Sequence, residues 1–295
     1  MDPAPRSVRT PDAELDALIA DLPGLPVRPA TDDEIATFRS DGVVVLRGVL
    51  PEGWIEVLSG PVDRVVGSGE AVDLGPMVGA APDTPAFAGG VDHWRSDAVL
   101  EAFSLRSPLA PLVAALLGSE RVHLWEDSVL VKEPGSPFPT YFHTDAGYFH
   151  LSGRQVCTTW VPLDPATAES GMVQWVRGSH LSDVEYRPNL FVTPEPIPGT
   201  LGEVVPDVLG TPALAERLVT FDVEPGDVTV HHARTLHGAP PNRSDRRRRA
   251  VSVRYTGDDV VYRHRPGLPG RPGLDEVSDG DPVGEPWCPL AWPRS

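Results

Sequence analysis

Apolar positions fall at helical spacing up to about residue 118 and at strand-like spacing after it. At Thr31 the run "TDDE" has the S/T-x-x-E form of a capping box, and "IATFRSDG" continues it into a helix closed by Gly42. "VVVLRGV" then reads as a buried strand, and Pro51 sits at the first turn of a second helix, "PEGWIEVLSGPVDRVV". Periodicity dissolves over residues 68–90, a Gly-, Ala-, Pro- and Asp-rich stretch of the kind that forms lids or lacks regular structure. A short helix, "PLAPLVAALLG", ends at Gly118. From there "RVHLWEDSVLVKE", "QVCTTWVPL", "GMVQWVRG", "LVTFDVEPGDVTVHHARTLHG" and "RRAVSVRYTG" are β-rich runs separated by turn residues. Helices first and strands afterwards predict an antiparallel sandwich or barrel with helices packed on one side. The expected organisation is a single domain over 1–295. It comprises an N-terminal arm (1–30), a helical and loop cover (31–118), a β core (119–262) and a proline-rich tail (263–295) that wraps over the core.

Composition narrows the partners. With 40% hydrophobic residues the chain can bury a sizeable core, while 34 prolines and 28 glycines demand many turns. A formal net charge of −17 disfavours nucleic acid and anionic membranes, and the run Arg246, Arg247, Arg248 and Arg249 is too short to reverse that. Cys157 and Cys288 are far apart, which excludes a cysteine-rich zinc site or a disulfide framework and fits a reducing compartment. The opening residues lack the apolar run of a signal peptide, and no apolar stretch reaches the length of a membrane span. These features predict a cytoplasmic protein, monomer or homodimer, whose partner is a small molecule.

The chemistry concentrates in "YFHTDAGYFH", residues 141–150. If residues 142–147 are extended, His143 and Asp145 project to one face and His150, of opposite parity, points elsewhere. An imidazole and a carboxylate together supply two ligands of a 2-His-1-carboxylate triad, an arrangement that suits Fe(II) and leaves coordination positions open. Taken alone, H-x-D also fits a polar strand end. Of the other histidines His237 stands out, because it ends the strand-like run "VTVHHARTLH" at the sharp turn "GAPPN". His231, read as interior lining, and His232, read as packing between strands, compete with it. In "RRRRAVSVRY" alternation puts Arg248, Ala250 and Ser252 on one face and Val251 and Val253 on the other. A buried guanidinium among small residues needs an anionic partner, and an organic carboxylate gripped in bidentate fashion is a natural one.

Three linked pieces, "FHTDAGYF", "TTWVPLDPATAESGMVQWVRGSH" and "GDVTVHHARTLHGAPPNRSDRRRRAVSVRY", resemble the phytanoyl-CoA dioxygenase family of Fe(II)/2-oxoglutarate oxygenases. The spacing of the last histidine and arginine, 248 − 237 = 11, matches that family. The resemblance implies a double-stranded β-helix, a jelly-roll, cupin-like barrel with N-terminal helices. It implies iron ligands His143, Asp145 and His237, with Arg248 on the distal carboxylate of 2-oxoglutarate and Trp160 beside that cosubstrate. Ser128 and Thr140 would be further cosubstrate contacts. Ala239 stands where the family often has a polar residue, and "GSH" at 178–180 reads as a structural turn.

The implied activity uses Fe(II), 2-oxoglutarate and O₂, releases succinate and CO₂, and hydroxylates a small organic metabolite, expectedly in natural-product biosynthesis. Related halogenases lack the carboxylate, so Asp145 favours oxygenation. Desaturation, epoxidation or ring formation at the same iron site is the nearest alternative, and a non-redox jelly-roll metal-binding protein the more distant one. Residues 68–90, Tyr148, Phe149, His150, Arg254 and residues 186–212 are the expected substrate surroundings.

Overall fold

A computed structural model describes residues 17–294, apart from 18, 272 and 286. Helix α1, Asp32–Asp41, begins with the reciprocal capping box between Thr31 and Glu34. It ends at Gly42, whose φ of 76° is open to glycine at no steric cost. Strand β1, Val43–Leu46, follows directly, and α2, Glu52–Gly67, has Pro51 as its N-cap, one position earlier than the sequence reading placed it. Where it is described, the arm is fastened to the rest of the fold. Ile19 is buried, Val27 N donates to Val49 O, and Trp54 Nε1 donates to Pro23 O at 2.8 Å. Residues 1–16 of the expected arm lie outside the described residues.

Two further helices, α3 (Ala98–Arg106) and α4 (Leu109–Leu117), complete the cover. Together they span Ala98–Leu117, 20 residues containing an 18-residue window of mean hydropathy 1.4. It is broken at Ser107 and Pro108, and 72% of it is buried inside the protein, so its apolarity is spent on the core.

The main sheet runs β1-β10-β7-β12-β4-β3-β2, built from β2 (Val72–Asp73), β3 (Phe87–Val91), β4 (Val122–Lys132), β7 (Val156–Pro162), β10 (Val228–His232) and β12 (Arg248–Thr256) beside β1. Strand β14, Leu290–Trp292, brings the tail back onto β4, so the tail does wrap over the core. Residues 68–90 contribute the edge strand β2 and most of β3 beside it, where the sequence shows no periodicity. Gly89 and Gly90 in β3 supply the backbone pairing without an apolar pattern. A second sheet has the order β5-β11-β8-β9, from β5 (Thr140–His143), β8 (Gln174–Val176), β9 (Leu218–Val219) and β11 (His237–Ala239). Strands β6 (Leu151–Ser152) and β13 (Val261–Tyr262) form a small third sheet.

Every named strand pair is antiparallel, and alternation divides the main sheet into two faces. Val251, Val253 and Tyr255 of β12 join Val129 and Val131 of β4 in the core beneath α2, α3 and α4. The opposite face, carrying Ala250 and Trp160, packs towards Trp175 and Ala239 of the second sheet. Arg248, Ser252 and Arg254 share that inter-sheet face, as the alternation predicts, and all three are buried.

Candidate metal centre and cavity

Antiparallel pairing of β11 with β5 puts His237 opposite His143, with ring centroids 4.2 Å apart. His237 opens β11 after the turn at residues 233–236, so it does not end the preceding strand as the sequence suggests; β10 already stops at His232. The extended segment also ends sooner than the parity reading requires. Asp145 begins a 3₁₀ turn, Asp145–Tyr148, pinned by Ala146 N donating to Ala233 O. That turn swings the carboxylate beside both imidazoles: Asp145 Oδ1 lies 3.6 Å from His143 Nε2 and 3.7 Å from His237 Nε2. The three residues are buried, and one atom from each lies within 4.8 Å of the others, close enough to share a metal ion.

The surroundings fix which atoms face that point. His143 Nδ1 lies 2.7 Å from Tyr141 O and His237 Nδ1 2.9 Å from Thr235 O. A carbonyl only accepts, so both Nδ1 atoms carry the proton and both Nε2 lone pairs are free for coordination. Asp145 Oδ2 is tied back, accepting from Thr158 Oγ1 at 2.5 Å and from His231 Nε2 at 3.1 Å, which leaves Oδ1 facing the imidazoles. Burial drives the Asp145 pKa up, but the neighbouring imidazoles, His237 first and then His143 and His231, outweigh it and hold the carboxyl well below its ordinary value. Burial, reinforced by His143 and His231, holds His237 well below the ordinary histidine value. The anionic carboxylate and neutral imidazole that a metal needs are thus the forms this site favours.

Thr158 is a residue the sequence reading missed. Nothing in "QVCTTWVPL" distinguishes it from any strand threonine until β7 is seen to run behind the Asp145 turn. His231 is interior lining, as expected, and sits behind the carboxylate. His232 packs against the His180 ring, whose Nε2 donates to Arg39 O, and "GSH" opens the 3₁₀ turn Ser179–Leu181 with Gly178 as its N-cap.

An inner cavity of about 40 Å³ opens from the triad between the two sheets. Thr140, Trp160, Ala239, Arg248 and Ser252 are among its walls. Arg248 is 2% exposed, its Nη1 donates to Gly171 O at 3.2 Å, and its Nε has no acceptor among the described residues. Burial pulls its pKa down to about 10. Beside it the fully buried Lys132, a basic residue that the sequence reading did not single out, donates to Pro240 O, and burial and then Arg248 hold its pKa well below the ordinary lysine value. A buried cation with an orphaned donor calls for an anion.

On the other side of His143 and Asp145 lies an outer cavity of about 490 Å³. Ser128 lines this outer space and not the inner one, and accepts from Arg254 Nη1 at 2.5 Å. Tyr148 presents its ring edge-on to His143 at 5.5 Å, and its hydroxyl is committed to Asn189, donating to Oδ1 at 2.9 Å. Phe149 packs on Trp125. His150 does point away from the triad; its Nε2 donates to Pro269 O and its Nδ1 accepts from Arg265 N, which fastens the tail across the mouth. Leu74 and Met77 from residues 68–90, and Leu190, Phe191 and Ile197 from residues 186–212, form apolar wall, so both stretches reach the cavity. A third cavity, about 270 Å³, lies behind the Asp145 turn and touches none of the triad.

The family model for Phytanoyl-CoA dioxygenase (PhyH) matches residues 38–250. Among curated proteins, the probable alpha-ketoglutarate-dependent hypophosphite dioxygenase of Stutzerimonas stutzeri is 26% identical over 163 residues, 52% of this chain and 51% of that protein. The match thus spans about half of that relative's length. Dioxygenase cdmD of Talaromyces verruculosus is 24% identical over 75% of this chain and 72% of its own. Among solved structures, the non-heme alpha ketoglutarate dependent carbocyclase SnoK from nogalamycin biosynthesis superposes with a TM-score of 0.71 at 25% identity, covering 89% of this chain and 96% of that one. The epimerase SnoN in complex with Fe³⁺, alpha ketoglutarate and nogalamycin RO superposes with a TM-score of 0.68 at 26% identity, over 88% and 98% of the two chains.

Proposed function

The chain belongs to the phytanoyl-CoA dioxygenase family, and on that footing we propose that it is an Fe(II)/2-oxoglutarate-dependent oxygenase acting on a small organic molecule. The observation that carries this reading is the convergence of Asp145 Oδ1 with the Nε2 atoms of His143 and His237, one cavity away from the buried Arg248, whose Nε has no acceptor among the described residues. The donor set, two neutral imidazoles and one carboxylate, fits Fe(II). When bound, iron would activate O₂, the oxidant, which takes two electrons from 2-oxoglutarate as it is converted to succinate and CO₂ and two from the substrate.

The chain's own residues do the positioning. Thr158 and His231 hold the Asp145 carboxylate in one orientation, and Tyr141 O and Thr235 O hold the two imidazoles in the Nε2-free tautomer. Arg248 takes the distal carboxylate, with Trp160 and Thr140 as walls. Of the groups bordering the outer cavity, Tyr148, Phe149 and His150 shape it, while Arg254 retains free donor capacity. We read the two sheets and their helical cover as one double-stranded β-helix domain spanning the chain. The free and buried Cys157 and Cys288 fit a cytoplasmic setting.

Hydroxylation of a natural-product-like metabolite is the leading outcome. Ring formation at the same centre is the second, supported by the likeness to the carbocyclase SnoK. The test is conversion of 2-oxoglutarate to succinate by protein given Fe(II) and O₂ against a metabolite panel. We expect metal-dependent succinate from the wild type and none from Asp145→Ala; equal succinate from both contradicts the assignment.

A further inference from the structure

The outer cavity has a composition that defines what it can accept. Its lining includes Leu74, Met77, Leu130, Leu190, Ile197 and Leu268. Two of its residues, Met77 and Val91, are 56% and 57% exposed, apolar surface held at the mouth where a ligand would cover it. Its volume of about 490 Å³ is that of a site for a drug-sized molecule.

Against this apolar wall stands one unsatisfied cationic donor. Arg254 borders both cavities and is 9% exposed; Nη1 is used by Ser128, but Nε is buried with no acceptor among the described residues. The nearest carboxylate oxygen, Glu126 Oε1, is 3.7 Å from Nε, beyond a hydrogen bond. Glu126 gives its other oxygen to Arg271 of the tail at 2.6 Å, and Arg271 also grips Asp92 at 2.8 and 3.0 Å. Two arginines and two carboxylates thus line the cavity beyond the triad and cancel; Arg95, 3.6 Å from Asp92, is not part of the lining. A ligand oxygen would satisfy Arg254, yet a ligand charge would stand uncompensated among apolar side chains.

We infer that the outer cavity is built for an uncharged, largely apolar molecule that presents one acceptor oxygen, such as a ketone carbonyl, to Arg254. A CoA thioester, with its several phosphates, is the wrong class of ligand for it. The inference rests on the oxygenase reading only for where the ligand lies relative to the iron.

Four probes separate the possibilities by equilibrium binding to the anaerobic protein loaded with Fe(II) and 2-oxoglutarate: 9-fluorenone, fluorene, fluorene-9-carboxylate and palmitoyl-CoA. Fluorenone should bind about tenfold or more tightly than fluorene, because it adds a hydrogen bond to a charged donor. It should also exceed both anions. That advantage should vanish in Arg254→Met and return in part in Arg254→Lys, with 2-oxoglutarate affinity unchanged in both. Failure of fluorenone to bind, equal binding of fluorene, tighter binding of either anion, or a loss of 2-oxoglutarate affinity in Arg254→Met overturns the inference. The wild-type probe series stands even if Arg254→Met unfolds. Binding here needs no turnover, and the colour formed when 2-oxoglutarate meets the Fe(II) protein reports on the oxygenase reading separately.

Discussion

Around Arg248 the cavity is walled by strands, whereas beyond His143 strands β3, β4 and β12 form only part of the wall and loops and the returning tail supply the rest. At the inner end Thr140 belongs to β5, Trp160 to β7, Ala239 to β11 and Ser252 to β12. Ladder pairs fix them against one another: Ser252 with Trp160, Ala239 with Thr140, His237 with His143. At the outer end Leu190, Ile197, Leu268 and Pro269 lie outside every named strand, and the space is about 490 Å³ against about 40 Å³. Phe191 stands at the junction and lines both cavities, its ring 5.2 Å from that of His143. Its φ of 68° is a left-handed conformation unusual for a side chain of that size, held by its N donating to Asn189 Oδ1 and its O accepting from Tyr141 N. A strand register delivers fixed atoms, which suits an invariant cosubstrate. Loops deliver adjustable surface, which suits a substrate that differs between relatives.

If the ends are separable in this way, substitutions should divide by location. Asp145→Ala, where the ends meet, removes the carboxylate and should abolish both metal binding and succinate formation, read by metal analysis and product assay. Arg248→Ala should raise the dissociation constant for 2-oxoglutarate. A hydrogen bond to a charged group contributes about 1.5–3 kcal/mol, so the expected factor is about 10 to 100. Fluorenone binding should stay as it was, and coupled losses at both ends would break the comparison. Thr158→Val removes one of the two hydrogen bonds that hold Asp145 Oδ2, leaving that from His231. It should weaken Fe(II) binding by about tenfold, at the lower end of what such supporting contacts contribute, measured by competition with a chelator. Arg271→Met frees the tail at the mouth and leaves Glu126 and Asp92 without that cation. Probe binding should fall by about fivefold, about 1 kcal/mol, while 2-oxoglutarate binding holds.

The same division governs how much the amino-acid sequence discloses. His143, Asp145, His237 and Arg248 are legible because H-x-D and the histidine–arginine spacing are short local patterns, and β12 alternation follows directly from the pleat. The route by which Asp145 meets the imidazoles is not legible, since an extended segment and a 3₁₀ turn both bring its carboxylate near His143. Thr158 and Lys132 matter only through strand register and cross-sheet approach, which no local pattern encodes. At the outer end residues 68–90 and 186–212 are recognisable as connections. Which of their side chains enter the cavity depends on chain paths set by glycine and proline turns. Arg271 is further hidden, because the tail returns to the mouth from more than a hundred residues away in sequence.

The most direct measurement of the central claim is an anaerobic absorbance titration of 2-oxoglutarate into the Fe(II)-loaded protein. The account requires a visible charge-transfer band that saturates with the cosubstrate, persists in Arg254→Met, and needs far more 2-oxoglutarate to develop in Arg248→Ala. A wild-type protein that binds Fe(II) yet develops no such band contradicts it.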